Sequence, residues 1–327
     1  MKSTLNRRHA LVAAAAALAA PAVARAQTGL PAGTIRLLIG FPAGGGTDVM
    51  GRIVVEKIRE RTGVNIVVEN KGGASGTVAA EQLRNAAPDG LTLMLAPIAS
   101  TVMAKLTYSK LPYDPQTDFA PISLLGTFQL AYALSPTLPV KTLAEYVAWL
   151  KADPKRASFG TTAMGSLPMF FGLMLGAGIG VDLQAVPYRG AAPLVQDLSA
   201  GQVPAGTGAL TDFLQHHQSG KVRILATSGA RRALAGPDLP TFTELGYPKI
   251  VGDGWLGFYA PARTPVAIVE AFNREIVAAA ADAGVAAKLA AAGLEPRTTT
   301  PAGFAAFVAE EMARWKPVVA ASGFKAD

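Results

Sequence analysis

Short apolar runs alternate with helical periodicities from residue 35 to about residue 126. The run Ile35-Arg36-Leu37-Leu38-Ile39 reads as a buried strand, because a brief apolar stretch rich in Ile and Leu and closed by turn residues suits one. Residues 64–69 predict a second strand and residues 91–96 a third. Between them Val49, Ile53, Val54 and Ile58, then Val78, Ala79, Leu83 and Ala86, recur at helical spacing. Strand–helix–strand alternation implies a parallel sheet with right-handed crossovers, the α/β class. The middle of the chain repeats the theme. Strands are expected at 157–160, 183–187, 203–205 and 222–227, with helices near 167–176, 191–200 and 212–219. The last part turns helical. Pro265 starts a segment with Ile268, Val269, Phe272, Ile276 and Val277 on one face, and Pro301 starts another carrying Phe304, Phe307, Val308 and Met312.

Two short segments read as connectors between halves: residues 129–135, a strand before a proline-rich turn, and residues 255–260, which end at Pro261. If the chain enters a second unit at the first and returns at the second, residues 27–127 and 254–327 form one lobe and residues 128–253 the other. A cleft between two such lobes is a common place for a small-molecule site. The loop after the first strand points the same way. Pro42 stops the strand, and Gly44, Gly45 and Gly46 strip the turn of side chains. Thr47 or Asp48 is placed to cap the helix that follows. A bare loop at a helix N-terminus gathers backbone N–H groups and positive dipole, which suits a carboxylate or phosphate. A tight turn with no ligand is the alternative reading. In open sheets of this kind ligands gather at the carboxyl ends of the strands, where this loop sits.

The N-terminus changes the charge picture. Lys2, Arg7 and Arg8, an Ala-rich apolar core over residues 11–20 and the small-x-small triplet Ala24-Arg25-Ala26 describe an export signal over residues 1–26. The twin-arginine and general secretory routes both remain open, and either leads to the periplasm. The whole chain counts 30 basic and 23 acidic residues; without the signal it keeps 26 basic ones, a formal +3. No later segment concentrates Lys and Arg with interleaved aromatics, so a nucleic-acid partner is not expected. There is no cysteine, which excludes disulfides and thiolate metal sites. Beyond the signal only His216 and His217 remain. Neighbours on a helix point about 100° apart, so a surface pair at a helix end fits better than a shared metal. No metal or cofactor is expected.

Enzyme signatures are incomplete. Residues 73–77, Gly-Ala-Ser-Gly-Thr, lack the last glycine of a nucleophile elbow, and the two histidines offer little to a Ser-His pair. A dinucleotide loop would need glycine where Val49 stands, after Gly44 and Gly46.

One family matches through most of the chain. The blocks are Phe41-Pro42-Ala43-Gly44-Gly45-Gly46-Thr47-Asp48 with Arg52, residues 68–74 with Gly76, residues 87–93, residues 113–115 with 118–122, and residues 140–143. They continue at 186–190, 201–203, 225–228, 239–241 with Glu244 and Gly246, and close at Trp255, Gly257, Ala260 and Pro261. In these blocks the chain resembles the extracytoplasmic solute receptors of tripartite tricarboxylate transporters, the Bug-type periplasmic binding proteins. The resemblance implies a two-lobed, type II-like clamp with two crossing strands that closes on a small organic carboxylate and presents it to the membrane subunits of the transporter. It also implies a monomer that holds its ligand with backbone amides, hydroxyls and water rather than a dedicated arginine. A receptor that docks on a membrane sensor would use the same clamp and is the alternative.

Carried over residue by residue, the resemblance places Phe41, Pro42, Ala43 and Gly44 in the floor of the pocket, with Thr47 and Asp48 adding polar groups. Ala99 and Ser100 would sit in the next loop of that lobe. Thr161, Thr162 and Ser166 would face them from the other lobe, and Tyr188 and Gly190 would complete the wall. Each has a plainer alternative: loop hydrogen bonding for Asp48, helix capping for Thr161 and Thr162, packing for Tyr188. One departure stands out. After residues 201–203 the family usually carries aspartate, and here Pro204 cannot donate an N–H to a sheet, so a local change at that end of the pocket is expected.

Overall fold

The computed structural model describes residues 29–326, so the export segment over residues 1–26 lies outside the described residues. The first strand, β1 (Ile35–Ile39), follows its apolar run: Ile35, Leu37, Leu38 and Ile39 are all buried. Helix α1 (Gly46–Thr62) follows and stops where Gly63 takes a left-handed φ of 68°, which relieves the last turn without steric cost. The chain continues through β2 (Ile66–Asn70), α2 (Thr77–Arg84), β3 (Thr92–Pro97), α3 (Val102–Thr107), β4 (Phe119–Phe128), β5 (Leu130–Leu134) and α4 (Leu143–Ala152). Next come β6 (Ser158–Thr161), α5 (Leu167–Ile179), β7 (Gln184–Pro187), α6 (Ala191–Ser199), β8 (Ala205–Ala209), α7 (Leu210–Gln218) and β9 (Arg223–Thr227). The last elements are β10 (Gly254–Pro261), α8 (Val266–Ala280), α9 (Ala283–Ala291), β11 (Glu295–Pro296) and α10 (Pro301–Ser322).

The strands form two sheets, ordered β11-β4-β10-β3-β1-β2 and β7-β6-β8-β5-β9. β1 is parallel to β2 and β3, whereas β10 runs antiparallel to both β3 and β4. In the second sheet β6 is parallel to β7 and β8, and β5 is antiparallel to β8 and β9. Gln129 alone separates β4 in the first sheet from β5 in the second, and the chain returns between Thr227 and Gly254. Ser228 ties the two passages together. Its Oγ accepts the Leu130 N–H (2.9 Å) and donates to Asp253 Oδ1 (2.6 Å). The result is the two-lobed α/β clamp with two crossings that the resemblance implies.

Three strands differ from the expectation, the two-residue β11 among them. β4 has no counterpart in the hydrophobic pattern, because Pro121, Ser123 and Gly126 interrupt its apolar positions. Pro121 is tolerated because it pairs with Tyr259 beside a register shift in the β4–β10 ladder. The strand expected at 203–205 instead runs Ala205–Ala209, through Gly206, Thr207 and Gly208. Such residues carry little strand propensity, but packing requires them. Gly206 lies opposite Gly160 of β6, and a Cβ on Gly160 would sit 2.2 Å from Leu194 Cδ1 of α6. The paired glycines form the gap that takes Leu194.

Helix α10 closes the molecule. Phe304 packs edge-on against Trp255 (ring centroids 5.6 Å apart), and Trp315 is fully buried. Beyond its last turn, Phe324 meets Phe170 of α5 edge-on at 6.0 Å, and the Ala326 N–H bonds Thr107 O of α3 at 3.0 Å. The C-terminal end therefore touches elements beside both sheets.

Candidate functional site

The loop after β1 is built around Asp48, not capped by it. The residue preceding α1 is Gly45, which has no side chain to cap the helix. Asp48 instead reaches back, and its Oδ2 accepts the Gly44 N–H at 2.9 Å. Arg52 Nε donates to Oδ2 at 2.9 Å and Asn70 Nδ2 to Oδ1 at 3.0 Å, while Asn70 Nδ2 also bonds Phe41 O at 3.0 Å. Burial alone would raise this carboxyl; Arg52, the Gly44 amide and Asn70 outweigh it and hold its pKa at about 2. A fixed loop leaves the start of α1 bare. Its first internal bond runs from the Val49 N–H to Gly45 O (3.0 Å), so the Gly46 and Thr47 amides precede the helical ladder.

A second helix start lies in the other lobe. Ser166 caps α5: its Oγ accepts the Met169 N–H at 3.4 Å and donates to Ala163 O at 2.7 Å. Thr161 Oγ1 lies 3.3 Å from that hydroxyl, behind it and fully buried. A third start belongs to α7, where Asp212 Oδ2 accepts the Ala209 N–H at 3.1 Å. Burial pushes the Asp212 carboxyl above its usual range, against the opposing effect of that amide.

All three starts border one cavity of about 770 Å³, within the usual size of a small-molecule site. Phe41, Gly46, Thr47, Met50, Ser75, Ile98 and Ala99 line it from the first sheet's side. Thr162, Gly165, Ser166, Leu167, Ala209, Thr211 and Asp212 line it from the second. Phe128, Leu130 and Leu256 contribute from the crossings, and Phe324 and Ala326 from the C-terminal end. No lysine, arginine or histidine borders it among the described residues, and none of their His, Asp and Glu side chains gather in a metal-holding group.

Of the residues expected at the site, Phe41, Thr47, Ala99, Thr162 and Ser166 line this cavity. Pro42, Ala43 and Gly44 are exposed and do not line it. Asp48 is buried within the loop, and Ser100 is buried with its Oγ donating to Ser75 O at 2.9 Å. Tyr188 is turned toward α6: its hydroxyl donates to Asp197 Oδ2 at 3.0 Å, and burial with that carboxylate pushes it up to about 12. The Gly190 N–H supports the lining from behind through Thr162 O, at 3.0 Å. Pro204 precedes β8, and its carbonyl accepts the Ser135 N–H at 2.9 Å. It lies at the other end of that strand from Ala209, so the expected change at the pocket does not fall there.

Sequence reasoning missed the α7 start and the C-terminal wall. Ala209 to Asp212 repeat the strand-to-helix signal of the first loop, but the glycine-rich strand before them hid it. No local signal marks Phe324 as a wall residue.

The family model described as the tripartite tricarboxylate transporter family receptor matches residues 50–324. BugT of Bordetella pertussis is 34% identical over 317 residues, 95% of each chain. An R. palustris protein solved with adipate superposes with a TM-score of 0.77 at 29% identity, covering 90% of this chain and 99% of that one. MatC from Rhodopseudomonas palustris, solved with bound malate, gives 0.73 at 30% identity, over 89% of this chain and 100% of that one. With its two lobes, its cavity between helix starts and a family match over most of its length, this chain belongs to the tripartite tricarboxylate transporter receptors, periplasmic solute-binding proteins rather than enzymes.

Proposed function

We propose that this receptor closes its lobes, residues 27–127 with 254–327 and residues 128–253, on a small organic carboxylate and presents it to the membrane subunits of a tripartite tricarboxylate transporter. The observation that carries the reading is that the starts of α1 and α5 border the same cavity from opposite sides. There the Gly46 and Thr47 amides and two helix dipoles supply donors and positive potential without a cationic side chain, and the Ser166 hydroxyl adds a donor when it turns from Ala163 O to the ligand. The relatives solved with adipate and malate support the same ligand chemistry. Closure needs no covalent step. A ligand held by one lobe and contacted by the other favours the closed form by its differential affinity for it.

The test is a thermal-shift and calorimetric screen of refolded residues 27–327 against small carboxylates. A ligand at 100 times its Kd adds about 2.7 kcal/mol of stability, a readily measured shift. Thr47→Ala and Ser166→Ala should each weaken binding about fivefold or more, since each removes a hydrogen-bonding hydroxyl worth about 1 kcal/mol. Unchanged affinity in both variants, or no shift with any acid, would place the ligand elsewhere.

A further inference from the structure

Among the described residues Asp212 is the one charged side chain bordering the cavity. Its situation differs from that of Asp48. Asp48 has three donors around it, Arg52, the Gly44 N–H and Asn70, whereas among the described residues Asp212 has one, the Ala209 N–H on Oδ2, and no salt bridge. Among the described residues the second oxygen, Oδ1, has no hydrogen-bond partner. A carboxylate partly withdrawn from water with no cation beside it is an unfinished arrangement, and a cation that binds there gains what the carboxylate lost.

The same end of the cavity carries a second negative feature. Ala292 and Gly293, at the C-terminal end of α9, also border it, and Gly293 packs against the Thr211 side chain next to Asp212. The closing turn there returns the N–H groups of Ala292, Gly293 and Leu294 to the carbonyls of Lys288, Ala290 and Leu289, and the helix end keeps the negative pole of its dipole. The starts of α1 and α5, on the two sides of the cavity, favour an anion; the Asp212 carboxylate and the end of α9 favour a cation.

We infer that Asp212 selects the ligand: the cavity takes a carboxylate that also carries an ammonium group, the carboxylate meeting the starts of α1 and α5 and the ammonium meeting Asp212 Oδ1. This rests on the proposed carboxylate binding and adds the class of acid. A second carboxylate at this end would face Asp212 charge against charge, and the partial burial of Asp212 leaves that repulsion less screened than in bulk water. A neutral tail would leave the carboxylate unpaired. An ammonium gains a charge-assisted hydrogen bond and a Coulombic partner together.

The experiment is isothermal titration of residues 27–327 with alanine, 4-aminobutyrate and 6-aminohexanoate, each beside its parent without the amine (propionate, butyrate, hexanoate), and with succinate and adipate. At least one amino acid should bind ten times more tightly than its parent and more tightly than either dicarboxylate. Asp212→Asn and Asp212→Ser, which both keep an acceptor for the Ala209 N–H, should reduce that ratio below threefold. The wild-type ratio tests the inference without any variant. A wild type that prefers the parents or the dicarboxylates overturns it, as does a ratio that survives both substitutions. If Ser166→Ala still weakens binding in either case, the carboxylate reading stands and only the role of Asp212 falls. If no acid binds, or if Thr47→Ala and Ser166→Ala both change nothing, both fall.

Discussion

Asp48→Asn should cost about 2 kcal/mol of stability at neutral pH. In the folded protein the Asp48 pKa is about 2, against an ordinary value of 3.8. Each unit of difference is worth about 1.4 kcal/mol, which sets that scale. An asparagine side chain cannot reproduce the arrangement. Oδ1 receives Arg52 and Asn70, and Oδ2 receives Arg52 and Gly44, so either placement of the amide NH₂ points a donor at donors. Arg52 is half-exposed and can turn to water, but the substituted amide stays buried with a mismatched contact. The pH dependence follows from the direction of the shift. A depressed carboxyl contributes its full stability above about pH 4 and loses it as pH falls toward 2. Urea unfolding at pH 7 should therefore separate wild type from Asp48→Asn by about 2 kcal/mol, and the gap should shrink between pH 4 and pH 2. An Arg52→Met control should show coupling with Asp48→Asn of at least about 1 kcal/mol in a double-mutant cycle. A gap under about 0.5 kcal/mol at pH 7, or one that persists unchanged to pH 2, would refute the reasoning.

Gly160→Ala should destabilise by about 1–3 kcal/mol, because its Cβ would lie 2.2 Å from Leu194 Cδ1. Leu194→Ala should relieve part of that, and strict additivity in urea unfolding would contradict the packing argument. Burial, with Glu311 and Glu295 nearby and opposed by Ser228 and Arg314, raises Asp253 to about 6. The wild type therefore loses stability as pH rises from about 4 through 6. Asp253→Asn keeps an acceptor for Ser228, and it should melt above wild type at pH 7 with a shallower pH slope between 4 and 6; parallel melting curves against pH would contradict this. Phe324→Ala should weaken carboxylate binding several-fold in titration calorimetry, because the ring walls the cavity and packs on Phe170. Unaltered affinity would remove the C-terminal end from the site.

Local order in the chain was enough for the first strand, the bare glycine turn and the helix after it. An apolar run, three glycines and a 3.6-residue repeat act within about 25 residues, and their physics is local. The same holds for α8 and α10, which begin after Pro265 and at Pro301 as their proline starts suggest. The two-lobed clamp was legible through the family blocks, which run in order along most of the chain. β4 and β8 were not legible, because Pro121 and the glycines of β8 make sense only against β10 and Leu194. Nor did the loop pattern say which way each side chain turns. Asp48 sits inside the loop because Asn70 arrives there from 22 residues away, and that leaves Thr47 to the cavity. Asp212 and Phe324 reach the cavity from segments more than 100 residues beyond the first loop. Sequence by itself determined the elements with a clear local pattern and the chemistry of the loop between the first two. Tertiary structure decided which groups meet, because burial, pairing and the direction of a side chain are set by neighbours that are distant along the chain.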